Sequence, residues 1–217
     1  MTDERLRVTG RLRRGDLDLA VDLDLPRGVI AVVGANGAGK TSLLRAIAGL
    51  DRLDDGEIVL EGAVLDRRSE GVFVPPESRN VGVAFQEPRL FPNRTVSGNI
   101  AYPLERAGTS KGDAAGAAHD LAAMVGMSSM VQRRPRDLSG GQAQRVNLAR
   151  AMARRANTLL LDEPLAAIDE SSRAGLRTLM LDSTAERVLW VTHDPTDAER
   201  TDHVVSIVNG RLDQTGP

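Results

Sequence analysis

"GVIAVVGANGAGKTSLLRAIAGL", residues 28–50, decides the fold. Its first seven residues form a short, continuous, β-branched run that ends in glycine, the pattern of a strand buried on both faces. Its last ten place Leu43, Leu44, Ile47 and Leu50 on one side of a helix. Between them, "GANGAGKT" (34–41) fits G-x-x-x-x-G-K-[ST] in the strand-to-helix context that the pattern requires. In such a loop the backbone of Gly34, Ala35, Asn36, Gly37, Ala38 and Gly39 wraps phosphates that face a helix N-terminus. Lys40 reaches the β and γ oxygens, and Thr41 is placed to bind Mg²⁺. The plain alternative, a glycine-rich turn beside a chance Gly-Lys-Thr, is disfavoured by flanks of this quality.

Outward from this unit, "LDLAVDLDL" (17–25) alternates apolar and acidic residues and reads as antiparallel sheet. "GEIVLEG" and "NVGVAF" read as strands, separated by the turn-like "DRRSEG" and "PPES". From Thr95 to about Gln132 the pattern is helical and Ala-rich, with "GTSKGDAAG" as a flexible joint. Strands resume at "TLLLDEP" and "RVLWVTH", with the amphipathic "DESSRAGLRTLMLDST" between them, and "HVVSIVNGRLDQTG" reads as a hairpin. These patterns predict an α/β fold: a mostly parallel sheet with an antiparallel part, covered by helices and interrupted by a helical insertion.

Composition narrows the function. The 217 residues are 41% hydrophobic and 27% charged, suited to one compact domain or one domain with a subdomain. A net charge of −2 supplies no general positive field for nucleic acid or anionic membrane, and the basic runs "RLRR" and "RRPR" read as solvated faces. Without cysteine there are no disulfides and no zinc-thiolate sites, as fits a reducing cytoplasm. The first residues do not read as a signal peptide. The runs "VIAVV" and "VLWV" are far shorter than the ~20 residues of a membrane span.

Other residues gain meaning beside the phosphate loop. "TLLLDEP" (158–164) ends a strand in two carboxylates at the edge where open α/β sheets bind ligands. Asp162 is placed to hold Mg²⁺ through water, and Glu163 to orient and deprotonate an attacking water. Gln86 and His193, the latter with Thr192, close two further strands, within reach of a γ-phosphate at the same edge. His119 and His203 carry no such signal. "LSGGQ" (138–142) sets Ser139, a good N-cap, and two glycines at the head of a helix, which suggests an anion site without a catalytic group.

Taken together, "GANGAGKT", the Gln86 loop, "LSGGQ", "TLLLDEP", "LAAID" and "VTHD" resemble, in order and spacing, the nucleotide-binding subunit of ABC transporters. The resemblance covers essentially the whole chain. It implies a P-loop NTPase core over 1–94 and 151–217, with a helical signature subdomain over about 95–150. It implies ATP and Mg²⁺ as cofactors, with Lys40, Thr41 and Ser42 on phosphates and metal, and Gln86 sensing the γ-phosphate, contributing to the metal site and touching the membrane subunit. Glu163 would be the catalytic base, His193 a switch that braces the γ-phosphate and attacking water, and Asp169 an interface residue. Ser139, Gly140, Gly141 and Gln142 would meet ATP bound by a second copy, in an ATP-sandwich homodimer. Transmembrane permease subunits and, indirectly, a substrate-binding protein are the implied partners, at the inner face of the cell membrane; nucleic acid is not.

The stretch "VPPESRNVGVAFQEPRLFPNRTVSGNIAY" looks like the importer branch, and within it most like molybdate ATPases. Sulfate, iron(III), polyamine and sugar importers stay open, because this stretch does not touch cargo. A soluble ABC ATPase acting on DNA or ribosomes would need a second cassette, a coiled coil or a basic surface. The chain stops soon after its last strand pattern, so no C-terminal regulatory domain is expected. The family's usual aromatic platform for adenine is missing, since no Phe, Trp or Tyr precedes Phe73. Arg13 or Arg14 is the alternative stacking group, or the base is held loosely. Ile168 in place of a leucine is volume-conserving.

Overall fold

The structure, a computed structural model, describes residues 4–215. In chain order its elements are β1 (Leu6–Arg14), β2 (Leu17–Leu25), β3 (Gly28–Gly34), α1 (Lys40–Ile47), β4 (Asp55–Leu60), β5 (Ala63–Arg67) and β6 (Val72–Phe73). Then come β7 (Val81–Ala84), α2 (Val96–Arg106), α3 (Lys111–Met124), α4 (Gly140–Ala153), β8 (Thr158–Asp162) and α5 (Glu170–Leu181). The chain closes with β9 (Arg187–Val191), α6 (Pro195–Ala198), β10 (His203–Val208) and β11 (Arg211–Thr215). Contacts group it into two compact units, one formed by the chain up to Val81 and again from Glu186, the other by residues 82–185.

In the first unit the strands lie in the order β6-β5-β4-β1-β2-β11-β10-β3-β9. β3 runs parallel to β9 and β10, while β1 pairs antiparallel with both β2 and β4. The alternation in β2 is realised: Leu19, Val21, Leu23 and Leu25 are buried, and Asp18, Asp22 and Asp24 are exposed. β1 is a strand that the hydropathy reading passes over. Leu6, Val8 and Leu12 are buried on one face, whereas Arg11 and Arg13 occupy the solvent face and pair across the hairpin with Asp18 at 2.6 and 3.6 Å. Gly10 and Gly56 face each other so closely that a Cβ on either would stand 2.0–2.1 Å from a backbone oxygen.

The "DRRSEG" stretch is turn only in its second half. Asp66 and Arg67 belong to β5, and a 3-10 turn follows at Arg68–Glu70. The buried Asp66 carboxylate explains the extension, because it accepts from the Leu53 amide at 3.1 Å and from Arg52 at 2.9 Å. Arg79 is fully buried and donates to the carbonyls of Ala46 and Ile47 at the end of α1 and to those of Leu65 and Val74. One guanidinium thereby satisfies the C-terminal carbonyls of the helix that follows the phosphate loop.

In the second unit β8 neighbours β7, and all five residues of β8 are buried. Gly82 permits α4 to lie close, since a Cβ there would meet the Ala151 carbonyl at 2.4 Å. Helices α2, α3 and α4 pack together. The stretch "GTSKGDAAG" is helical from Lys111 onward, which corrects the reading of a nine-residue flexible joint. Ser110 accepts from the Asp113 amide at 3.2 Å, and Ala114, Ala118 and Ala122 bury one helical stripe. Capping and packing thus outweigh the helix cost of Gly112 and Gly116.

Candidate functional site

In the first unit the phosphate-loop residues leave β3 at Gly34 and enter α1 at Lys40. Gly39 is the N-cap at φ +107°, and no side chain caps the helix, so its first amides face the loop without a local acceptor from a side chain. Gly37 has φ +78° with open space where a Cβ would be, so backbone conformation alone requires glycine there. Gly34 is constrained by space: its Cβ would lie 2.7 Å from the Ile207 carbonyl. Lys40 is buried, and its Nζ donates to the carbonyls of Gly34 at 2.7 Å and Ala35 at 2.9 Å. Ala35, Asn36, Gly37 and Thr41 are exposed, Ala38 and Ser42 partly so.

A cavity of about 630 Å³ lies over this loop, bordered by residues 34–38, by Asp16, Leu17 and Asp18, and by residues 207–210. Leu17, Ile207 and Val208 are its large apolar lining residues, and Leu17 also packs over Gly39. Arg14 is not available as a platform, because its guanidinium donates to the carbonyls of Arg13 at 2.5 Å and Arg52 at 2.8 Å and stands 3.5 Å from Asp54. Arg13 is drawn to Asp18. The Asp18 carboxyl is held below the usual carboxylate range by hydrogen bonding and charge from Arg11, with Arg13 adding to it.

His193 is exposed and follows β9 after the buried Thr192. It borders a second cavity, of about 490 Å³, that Gly34 also lines. The first unit therefore brings His193 and Gly34, where the phosphate loop begins, to one cavity.

The second unit brings Gln86 and Glu163 together, the Gln86 Nε2 donating to Glu163 Oε2 at 3.3 Å. Glu163 follows β8 in the left-handed region at φ +46°, a conformation that a non-glycine residue adopts at a cost of order 1 kcal/mol. Asp162, the last residue of β8, is buried. The chain before Gln86 is fixed by α4: Asn147 and Gln144 both donate to the Phe85 carbonyl, at 2.8 and 3.4 Å.

The signature residues head α4. Ser139 and Gln142 form a reciprocal capping box, with the Gln142 amide 3.3 Å from Ser139 Oγ and the Ser139 amide 3.0 Å from Gln142 Oε1. Gly140 faces open space, whereas a Cβ on Gly141 would press on the Ala167 carbonyl at 2.7 Å. Asp169 caps α5 through the Ser172 amide, and Arg145 of α4 donates to it at 2.7 Å and to Ser172 Oγ at 2.6 Å. Ser171, Ser172 and Arg145 hold the Asp169 carboxyl down at about 2. Sequence reasoning missed Arg145, although it lies one helical turn beyond Gln142. It also missed Gln144, Asn147 and the packing role of Gly141, for which no motif stands as a signal.

A glycine-wrapped loop between a strand with a buried centre and a helix, in a mixed α/β fold, defines a P-loop domain. The fold is shared with the dimeric post-hydrolysis structure of the ATP-binding cassette MJ0796 bound to ADP and Pi, at a TM-score of 0.81 and 24% identity, over 98% of this chain and 97% of that one. The ABC transporter family model matches residues 19–166, and the chain belongs to that family. Among its relatives, the Fe(3+) ions import ATP-binding protein FbpC of Streptomyces avermitilis is 43% identical over 91% of this chain. The molybdenum import ATP-binding protein ModC of Thiobacillus denitrificans is 40% identical over 98%. The chain spans 57% and 59% of the length of these two proteins. No helix among the described residues is long and apolar enough to cross a membrane.

Proposed function

We propose that the protein is the ATP-hydrolysing motor subunit of an ABC importer. The observation that carries this reading is Glu163, which directly follows β8 in a left-handed backbone conformation and whose carboxylate accepts from Gln86. A strained carboxylate at a strand end suits a general base that must point at one water. Lys40, Thr41, Ser42 and the amides of residues 34–39 bind the phosphates. Thr41, Gln86 and Asp162 offer hydroxyl, amide and carboxylate oxygens, the hard donor set that Mg²⁺ takes beside nucleotide phosphates. The metal supplies charge neutralisation on the phosphate oxygens when bound. His193 braces the γ-phosphate, while Ser139, Gly140, Gly141, Gln142 and Asp169 face the nucleotide of a second copy. Gln86 touches permease subunits at the inner face of the membrane.

Molybdate, or a related oxyanion, is the proposed cargo, supported by the likeness of residues 74–102 to molybdate ATPases and by relatives named ModC. Iron(III) is the second reading, favoured by the 43% identity to FbpC. Uptake of labelled molybdate, sulfate and iron(III) is measured in source cells that carry Glu163→Gln in place of the wild type. Loss of molybdate uptake alone supports the first cargo, and loss of iron uptake alone the second. Unchanged uptake of all three would overturn both.

A further inference from the structure

We infer that Thr192, with Asp197, is a positioning device for His193, so that the chain on both sides of the imidazole is tied to one buried hydroxyl. This rests on the reading of His193 as the group that braces the γ-phosphate. Thr192 Oγ1 donates to Asp197 Oδ2 at 3.0 Å and accepts from the Asp194 amide at 3.1 Å. Thr192 and Asp197 are each 4% exposed, so water competes little for these bonds. The Thr192 amide continues the sheet by donating to the Val32 carbonyl at 3.3 Å, which fixes the residue before His193 to β3. The residue after it is fixed twice. The Asp194 amide reaches the Thr192 hydroxyl, and the Asp194 carbonyl accepts from the Asp197 and Ala198 amides at 3.1 and 3.3 Å.

His193 itself is exposed and sits on a polar connection of the kind that otherwise moves freely. A group that must meet a phosphate within hydrogen-bond distance needs its backbone held to a fraction of an ångström. The hydroxyl satisfies that need because it donates and accepts at once, closing a ring from Thr192 through Asp197 and Asp194 around the His193 backbone. Valine matches threonine in shape but has no hydroxyl, and serine retains the hydroxyl without the methyl. These two substitutions separate the hydrogen bonds from the packing.

The test compares Thr192→Val, Thr192→Ser and His193→Ala in the full chain by steady-state Mg-ATP hydrolysis and by ¹H–¹³C NMR of the imidazoles. The chain has three histidines, and His119 in α3 is the internal control. Thr192→Val is expected to lower kcat about tenfold with KM within about twofold. It should also shift or broaden the His193 resonance and leave that of His119 in place. Thr192→Ser should match the wild type in both. An unmoved His193 resonance in Thr192→Val, or equal losses in the Val and Ser variants, overturns the proposal. A wild-type kcat in His193→Ala instead overturns the role given to His193, and the spectrum still decides whether Thr192 holds it. Should Thr192→Val not fold, Asp197→Ala removes the Thr192–Asp197 bond alone, and an unmoved His193 resonance there likewise overturns the proposal.

Discussion

Gly141 stands directly against Ala167: a Cβ on the former would come within 2.7 Å of the carbonyl oxygen of the latter. The second signature glycine is therefore a packing residue between the head of α4 and the turn before α5, while its neighbour Gly140 faces open space. The pair separates stability from ligand contact. Gly141→Ala should destabilise the protein by about 1–3 kcal/mol through overpacking. Gly140→Ala should leave stability within about 1 kcal/mol and still lower ATP turnover if the backbone must approach a phosphate closely. Chemical denaturation beside an ATPase assay checks both, and equal stabilities for the two variants would contradict the packing assignment.

Glu163 combines strain with the proposed chemistry, and its substitutions should dissociate the two. Glu163→Gln keeps the side-chain shape and the left-handed backbone, so stability should change little while turnover falls roughly 10²–10⁴-fold. Glu163→Gly removes the penalty of φ +46° and should be as inactive yet at least as stable as the wild type. Size-exclusion chromatography of Glu163→Gln with Mg-ATP should show a dimer. A monomer there would contradict the shared-nucleotide reading.

Asp169 gives a pH signature whose sign is fixed by its partners. Its folded-state pKa of about 2 lies below the unfolded value near 3.8, so the folded protein binds this proton more weakly than the unfolded chain does. The contribution is present above about pH 4 and is lost as pH falls toward 2. Asp169→Asn keeps an N-cap but loses the charge that Arg145 faces. The stability difference between wild type and variant should be constant from pH 5 to 7, at about those values, and close as pH falls through the folded pKa. A difference that persists undiminished at pH 2, about the folded pKa itself, would show that the charge is not its source.

Much of this was legible in the sequence because period and punctuation agreed. The buried run of β3, the glycines and Lys40, and the alternation of β2 each encode one element by themselves. β1 was not legible, since its buried Leu6, Val8 and Leu12 are interleaved with arginines whose carboxylate partners come from β2. The helical stretch after Ser110 was masked by glycines, which are outweighed by a cap and an alanine stripe seen only once the neighbouring helices are in place. Residues such as Arg79 carry a further lesson. It sits in "PPESRNVG", part of the stretch that resembles molybdate importers, yet its contacts are backbone carbonyls of α1, β5 and Val74. That residue reports how the phosphate-loop helix is held, and cargo has no part in it.

Arg79→Met tests that assignment. Methionine fills much of the same space but takes a donor from the carbonyls of Ala46, Ile47, Leu65 and Val74, of which Ala46 and Leu65 keep the amides of Gly49 and Val74. A loss of about 2–4 kcal/mol is expected, the cost of stranding the Ile47 and Val74 carbonyls and weakening the other two. Arg79→Lys should recover part of it, because an ammonium offers three donors but not the planar fork. Equal unfolding free energies for all three proteins would show that these bonds contribute nothing.

Base selection follows from what borders the cavity over the phosphate loop. The one large apolar side chain contributed by β2 there is Leu17, and no aromatic ring precedes Phe73 to stack on a base. The arginines placed to replace a ring are engaged, Arg14 by two carbonyls and Arg13 by Asp18. A leucine offers dispersion and desolvation to any purine and no hydrogen bond to tell one from another. GTP should therefore be hydrolysed with a kcat/KM within about tenfold of that for ATP. Leu17→Trp should tighten binding of both nucleotides by about 1–3 kcal/mol, the usual worth of stacking one base on an aromatic ring. Competition between ATP and GTP for the wild type and for Leu17→Trp measures both effects. A clear preference for ATP in the wild type would mean that a group other than Leu17 reads the purine edge. An unaltered affinity in Leu17→Trp would place the base away from β2.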